Sequence, residues 1–448
     1  MYLLYSLLML LSFAVVSPYF LYQAIRYKKY TGSLSQRLGI LPPSFNLDED
    51  ESIWIHAVSV GEVITARALI TDLKERYPRL RLFLSTTTMA GQQVARRHMA
   101  HVDAVFYFPF DLRLIVRRLL DVVKPRLFIM METEIWPNLL RAARLRGVRS
   151  IIINGRISPR SYRRYRLVRP LFRRVLADID WFCVQSEDSL QRLIDLGADP
   201  SRITVTGSLK FDSLDLASAG MAGRARDRVL RFFRIAPGRP VIVAGSTVRG
   251  EDALVLRALR RVKAAIPNTV MILAPRHPER AAEVDALARA AGFTTVRRSE
   301  LPIDSEPRAE LIILDTIGEL ATIYQVATAV FVGGSLVDAG GHNILEPAAF
   351  GKPIVFGRHM QNFKEIAGTF LTNGAAIQVH SERELEEVLL NLLSDPVRRA
   401  RLGAAARALV ESNRGAKSKT LAIIAELLPR DEVESAPSRA MRPFRVVH

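Results

Sequence analysis

Two successive series of short β-branched or aromatic runs, each run followed by an amphipathic stretch of helical period, constrain this chain more than any other feature. The first series has candidate strands at 53–58, 81–85, 104–108, 127–131, 150–153, 181–184 and 203–206. The second has them at 241–244, 270–274, 311–314, 329–332 and 353–356, with helical stretches such as 251–263 and 279–290 between them. Near-continuous apolar runs of this length read as parallel strands buried on both faces, and regular strand–helix alternation reads as an α/β fold. The expected architecture is therefore two doubly wound, Rossmann-like domains facing a cleft, with helices on both faces of each sheet. Ligands in such sheets bind at the carboxyl ends of the strands. Between Ser213 and Arg228 the order gives way to an Ala/Ser/Gly-rich segment read as the interdomain linker. The expected domains are 33–220 and 228–428, followed by a flexible tail over 429–448.

The amino terminus is a separate element. From Met1 to Tyr22 no side chain is charged, and Arg26, Lys28 and Lys29 follow. About 20 apolar residues suffice to cross a bilayer core, and basic flanks stay cytoplasmic. Residues 1–25 are thus expected to form a transmembrane, membrane-anchoring helix in the inner membrane, with the remaining chain on the cytoplasmic side. The chain carries 63 Lys+Arg against 45 Asp+Glu, a formal charge of +18, which calls for anionic partners. The single cysteine, Cys183, allows neither an intrachain disulfide nor a zinc cluster.

Several chemistries are absent from the motif pattern. No G-x-G-x-x-G opens a helix after a strand, and no Walker loop, H-E-x-x-H or G-x-S-x-G occurs. Acids are found at the strand ends instead. Ser59-Val60-Gly61-Glu62 follows the first strand, and Glu132-Thr133-Glu134-Ile135-Trp136-Pro137 follows the fourth. Ser59-x-x-Glu62 also matches a capping box, in which Glu62 would only fold back on the Ser59 backbone. The alternative is a carboxylate that takes a proton at the carboxyl edge of the sheet, its pKa raised by its acidic neighbours. Lys210 is a further cation after the seventh strand.

Two segments point to phosphate. The run from Asn154 to Arg174 holds Arg156, Arg160, Arg163, Arg164, Arg166, Arg169, Arg173 and Arg174 with no acid among them. Beside an apolar amino terminus, its expected target is acceptor or membrane-lipid phosphate and not nucleic acid. In the second domain Gly333-Gly334-Ser335 leads through Gly340-Gly341-His342 to Asn343-Ile344-Leu345-Glu346. That loop is expected to offer free backbone N–H groups and a helix end to a nucleotide phosphate, with Glu346 accepting from ribose hydroxyls.

Taken together, SVGE, TTTMAGQQ, ETEIWPNL, NGRIS with SY, QSE, GSLKFD, APRHPER and GGSLVDAGGHNILEPAAFGKP resemble, in order and over nearly the full length, the bacterial 3-deoxy-D-manno-octulosonic acid (Kdo) transferases of lipopolysaccharide core biosynthesis. The resemblance implies a GT-B glycosyltransferase fold, CMP-Kdo as donor, lipid IVA as acceptor and inversion at the anomeric carbon, with no cofactor or metal. It implies Glu62 as general base, with Glu132 and Lys210 stabilising the transition state. The implied CMP contacts are Pro275, Arg276, Gly318, Glu319, Leu320, Asn343, Ile344, Leu345 and Glu346. Two other readings remain open on the residues alone. One is a GT-B sugar transferase using a UDP-sugar; the other is a basic membrane-tethered binding protein without catalysis.

Overall fold

The computed structural model describes residues 2–27, 31–46, 48–212, 227–301 apart from 228, 232, 234 and 237, and 309–429. The chain divides into two compact units, residues 1–213 with 414–448 and residues 214–413.

In the first unit seven parallel strands form one sheet: β1 (Ser52–His56), β2 (Arg81–Thr86), β3 (Ala104–Tyr107), β4 (Pro125–Met131), β5 (Arg149–Gly155), β6 (Trp181–Val184) and β7 (Ile203–Val205). Their order is β3-β2-β1-β4-β5-β6-β7. Ile53, Trp54, Ile55, Leu127, Phe128 and Ile129 are fully buried, and alternate residues of these strands enter two different clusters. A strand sandwiched between helix layers has both faces dry, which is why these runs do not alternate with polar residues. Burial of each such side chain contributes on the order of 1.5–3 kcal/mol of transfer free energy. The strand order reverses between β1 and β4, so the segments leaving these two strands flank the switch point of the sheet.

The second unit repeats the plan with β8 (Val241–Thr247), β9 (Val270–Pro275), β10 (Thr295–Arg297), β11 (Leu311–Ile313), β12 (Ala329–Val332), β13 (Ile354–Gly357) and β14 (Ile377–Val379), ordered β10-β11-β9-β8-β12-β13-β14. All pairings are parallel. Every expected strand is present. The two that the pattern missed, β10 and β14, are three-residue strands at opposite edges of this sheet. The reversal here lies between β8 and β12. A Cβ on Gly333 would stand 2.6 Å from the Ser246 carbonyl oxygen and 2.7 Å from the Thr247 Cα, so only glycine lets these strand ends approach.

One boundary differs from expectation. The helix Ala416–Leu427 packs in the first unit, placing Ala416, Leu421, Ile423 and Ile424 in the core formed by Ile53, Ile55, Leu69 and Leu127. The backbone amides of Gly415 and Lys417 donate to the Asp212 carboxylate at 2.9 and 2.7 Å, which caps that helix. The second unit therefore ends near Asn413 and not at 428. The expected linker falls largely outside the described residues, as does the tail from 430 onward.

The amino-terminal helix Tyr2–Tyr27 carries Pro18 within it. Among the described residues no helix is long and apolar enough to cross a membrane, so the expected transmembrane span is not supported. One face of the helix lies against its own unit: Tyr2 donates to Asp178, Tyr5 to Asp111 at 3.0 Å and Ser6 to the Asn138 side-chain oxygen at 3.0 Å, and Phe13 meets Phe110 edge-on at 5.1 Å. Leu3, Leu4, Leu7, Leu8, Leu10 and Leu11 are exposed on the rest of the circumference. Hydrogen bonds to a buried aspartate are a poor use of a helix meant for hydrocarbon, where polar ties of this kind are costly. The Arg26 side chain, Lys28 and Lys29 lie outside the described residues.

Candidate active site

At the switch point of the first sheet, β1 leads into a tight turn and the helix Val60–Arg76. Glu62 sits in its first turn, half-buried. The Val58 amide donates to Glu62 Oε2 at 2.9 Å and the Ser59 hydroxyl to Oε1 at 3.1 Å. Ser59 makes no side-chain bond to a helix N–H, so the reciprocal capping box is not formed. The carboxyl is pushed up to about 7 chiefly by burial, with the charges of Glu132 and Glu134 adding to it; the Val58 and Ser59 bonds oppose the rise.

Across the switch point, β4 ends at Glu132. Its backbone is left-handed, φ +56°, and its amide donates to the Ile153 carbonyl on β5 at 2.9 Å. A non-glycine residue in that region costs of order 1–3 kcal/mol and persists where surrounding bonds fix it. Glu134 accepts from the Trp136 indole at 3.1 Å and lies 3.8 Å from His56 Nε2. His56 is fully buried, stacked on Phe108 at a centroid distance of 3.8 Å, and its Nδ1 meets the Ser85 hydroxyl at 3.0 Å. Burial holds its pKa below the ordinary histidine value, against the pull of Glu134. Lys210 is half-buried at the same sheet edge, in the segment following β7. The structure thus gathers Glu62, Glu132 and Glu134 within electrostatic reach, as their spacing had suggested.

The arginine-rich segment forms two short helices, Pro159–Leu167 and Arg169–Leu176. Arg160, Arg163, Arg164 and Arg166 are exposed, whereas Arg156 is half-buried in the preceding loop and its carbonyl accepts from Thr133. Leu167 is 85% exposed among them. Arg166 lies over the Tyr162 ring, and Tyr162 donates to Asp195 of the helix Glu187–Leu196. An acid from a distant element therefore offsets part of the positive field that the segment has by itself.

In the second unit Pro275 ends β9 and the Arg276 amide donates to the Thr247 carbonyl at 2.9 Å. Asn343 closes the turn before the short helix Leu345–Ala349: its Oδ1 accepts from the Leu345 amide at 3.0 Å and its Nδ2 donates to Glu346 at 3.0 Å. Burial raises the Glu346 pKa, which Asn343 and the Arg276 charge oppose. Ile344 and Leu345 are buried and fix this turn in the core. Gly318 has φ +89°, and the Glu319 carboxylate is held by Arg298 at 2.9 and 3.0 Å and by Thr316. The Glu319 carbonyl accepts from the Ile323 amide at 3.0 Å, so this turn is held through both side chain and backbone.

The glycine-rich loop departs from expectation. The amides of Gly334, Ser335 and Leu336 donate to the carboxylate of Glu251 at 2.7, 3.0 and 2.8 Å. Glu251 is fully buried, so these amides are not available to a phosphate. The following helix has only five residues, too short for an appreciable dipole end. The cationic element here is Arg276; burial chiefly, with the charges of Arg276 and His277 adding to it, holds the His342 pKa down to about 4. The missed residues Glu251 and His56 had signals of two kinds. An acid just past a strand end, the same cue that marked Glu62, also marks Glu251; a histidine closing an apolar strand marks His56.

Residues 32–213 match the family model described as 3-deoxy-D-manno-octulosonic-acid transferase (kdotransferase), and residues 299–409 match glycosyl transferases group 1. A 3-deoxy-D-manno-octulosonic acid transferase of Haemophilus influenzae is 34% identical over 409 residues, covering 91% of this chain and 94% of that protein. The chain belongs to the Kdo transferase family. A second member, from Bordetella pertussis, is 36% identical over 377 residues, 82% of this chain and 86% of its own. The enzyme is thus a Kdo glycosyltransferase of lipopolysaccharide biosynthesis. The UDP-GlcNAc 2-epimerase of Neisseria meningitidis, 14% identical with a TM-score of 0.56 over 85% of this chain and all of that one, shares its GT-B-like fold of two parallel-sheet α/β domains.

Proposed function

We propose that this Kdo transferase moves Kdo from CMP-Kdo to lipid IVA with inversion at the anomeric carbon, Glu62 acting as the general base. The observation that carries the reading is the half-buried Glu62 carboxyl, raised to about 7 at the switch point of the first sheet. A base with that value is about half ionised at neutral pH and still binds a proton well. Glu62 takes the proton of the acceptor's primary hydroxyl as the oxygen bonds to the anomeric carbon and the bond from that carbon to the CMP phosphate breaks. Lys210 and Glu132 stabilise that transition state. Arg276 offsets charge on the departing phosphate, and the Gly318-Glu319-Leu320 backbone with the Asn343–Glu346 turn holds the nucleoside.

The amino-terminal helix attaches the first unit to the cytoplasmic face of the inner membrane by lying on it. Its exposed leucines face the acyl boundary, and Arg160, Arg163, Arg164 and Arg166, with Arg156, meet acceptor and lipid phosphates. The test is mass spectrometry of lipid IVA incubated with the enzyme and CMP-Kdo. A mass gain of one or more Kdo units, lost in Glu62→Ala, is expected; undiminished transfer by that variant rejects the base. Stabilisation against heat by UDP but not CMP would reject the donor.

A further inference from the structure

The end of β5 is tied to the segment after β7 by one side chain to which neither spacing nor resemblance gave a role. Asn154 stands at the carboxyl end of β5, 1% exposed, with a left-handed backbone, φ +53°. Asn is among the few residues that tolerate this region. Its Oδ1 accepts from the Leu209 amide at 3.0 Å, across the intervening strand β6, and its carbonyl accepts from Gln185 Nε2 at 2.8 Å. The amide orientation is fixed, because only the oxygen can face an N–H donor. The neighbouring Ile153 carbonyl takes the Glu132 amide, so Glu132 and Asn154, both left-handed, sit side by side on adjacent strands. Leu209 itself is buried against the core that includes Ile153 and Cys183.

We propose that Asn154 is a positioning residue: by pinning the Leu209 amide it draws the segment Gly207–Asp212 back over β6 and sets Lys210 at the end of the sheet where Glu132 lies. This rests on the reading of Lys210 as a transition-state group. Without the bond a buried amide loses its acceptor, and the segment gains freedom at the point where Lys210 begins. A misplacement of about 1 Å in a catalytic group costs up to roughly 100-fold in rate.

The experiment uses the full chain with CMP-Kdo and lipid IVA and measures kcat and the donor KM. Asn154→Gly keeps the left-handed backbone without strain but removes the acceptor oxygen; Asn154→Asp keeps that oxygen. Expected are a kcat drop of roughly 10- to 100-fold for Asn154→Gly at unchanged donor KM, most of the rate recovered in Asn154→Asp, and an Asn154→Gly/Lys210→Ala double variant no slower than Lys210→Ala alone. Multiplying losses in the double variant, or a rate within twofold of wild type for Asn154→Gly, overturns the proposal. A wild-type rate for Lys210→Ala overturns the underlying reading instead. Should Asn154→Gly fail to fold, Gln185→Leu, one bond further out, carries the same pattern with a smaller drop, and multiplying losses with Lys210→Ala overturn the proposal there too.

Discussion

At the scale of single residues, burial separates carboxylates that look alike in sequence. Glu62 and Glu251 both follow the first strand of their sheet, yet one is half-buried at a switch point and the other satisfies three backbone amides in full burial. For Glu62 the raised pKa has a definite sign. On the proposed mechanism its conjugate base takes the acceptor proton, so log(kcat/KM) should climb with pH below about 7 and level off above it. A flat profile between pH 5.5 and 8 would count against the base. The same shift is a stability cost, because the unfolded carboxyl ionises near its ordinary value while the folded one still holds its proton. That cost grows from about pH 4.5 and is complete above about 7, so Glu62→Gln should gain stability on the order of 1–3 kcal/mol at pH 8 and little at pH 4. Thermal unfolding at the two pH values measures it.

At the scale of elements, loops at the switch points are held by buried polar pins. Removing the Glu251 carboxylate orphans the Gly334, Ser335 and Leu336 amides together, at a cost of about 1–3 kcal/mol for each group left unsatisfied. Glu251→Ala should therefore lower the unfolding midpoint of the second unit and weaken CMP binding, read by calorimetry, while Glu251→Gln retains part of both. The amino-terminal helix is held in a comparable way through Tyr2 and Tyr5. A Tyr2→Phe/Tyr5→Phe variant should expose that helix to protease in detergent without altering hydrogen exchange in β1 or β4. Unchanged cleavage would mean that the apolar contacts alone hold it.

At the scale of the whole molecule, the chain returns to the unit in which it began. Deleting residues 414–429 removes Ala416, Leu421, Ile423, Ile424 and Leu428 from the first core and leaves Asp212 without the amides it caps. Hydrogen exchange should then rise across β1, β2 and β4 while the strands of the second unit keep their protection. Equal loosening of both units would contradict the division. Replacing Arg163, Arg164 and Arg166 by Glu should reduce binding to anionic vesicles, with the wild-type affinity itself falling as salt is raised.

By itself the sequence determined the α/β class, the two sheets, every long strand and the acids at the ends of β1 and β4, because parallel strands buried on both faces must be apolar throughout and strand ends are marked by turn residues. It could not reveal β10 and β14, whose three residues at a sheet edge bury too little to leave a pattern. Nor could it tell that the last described helix crosses back to the first unit, that Glu251 fills the amides of the glycine-rich loop, or that the apolar amino terminus is tied laterally to Asp111 and Asp178. Those outcomes depend on which donor meets which acceptor once distant segments pack, and local periodicity carries no record of partners more than a few residues away.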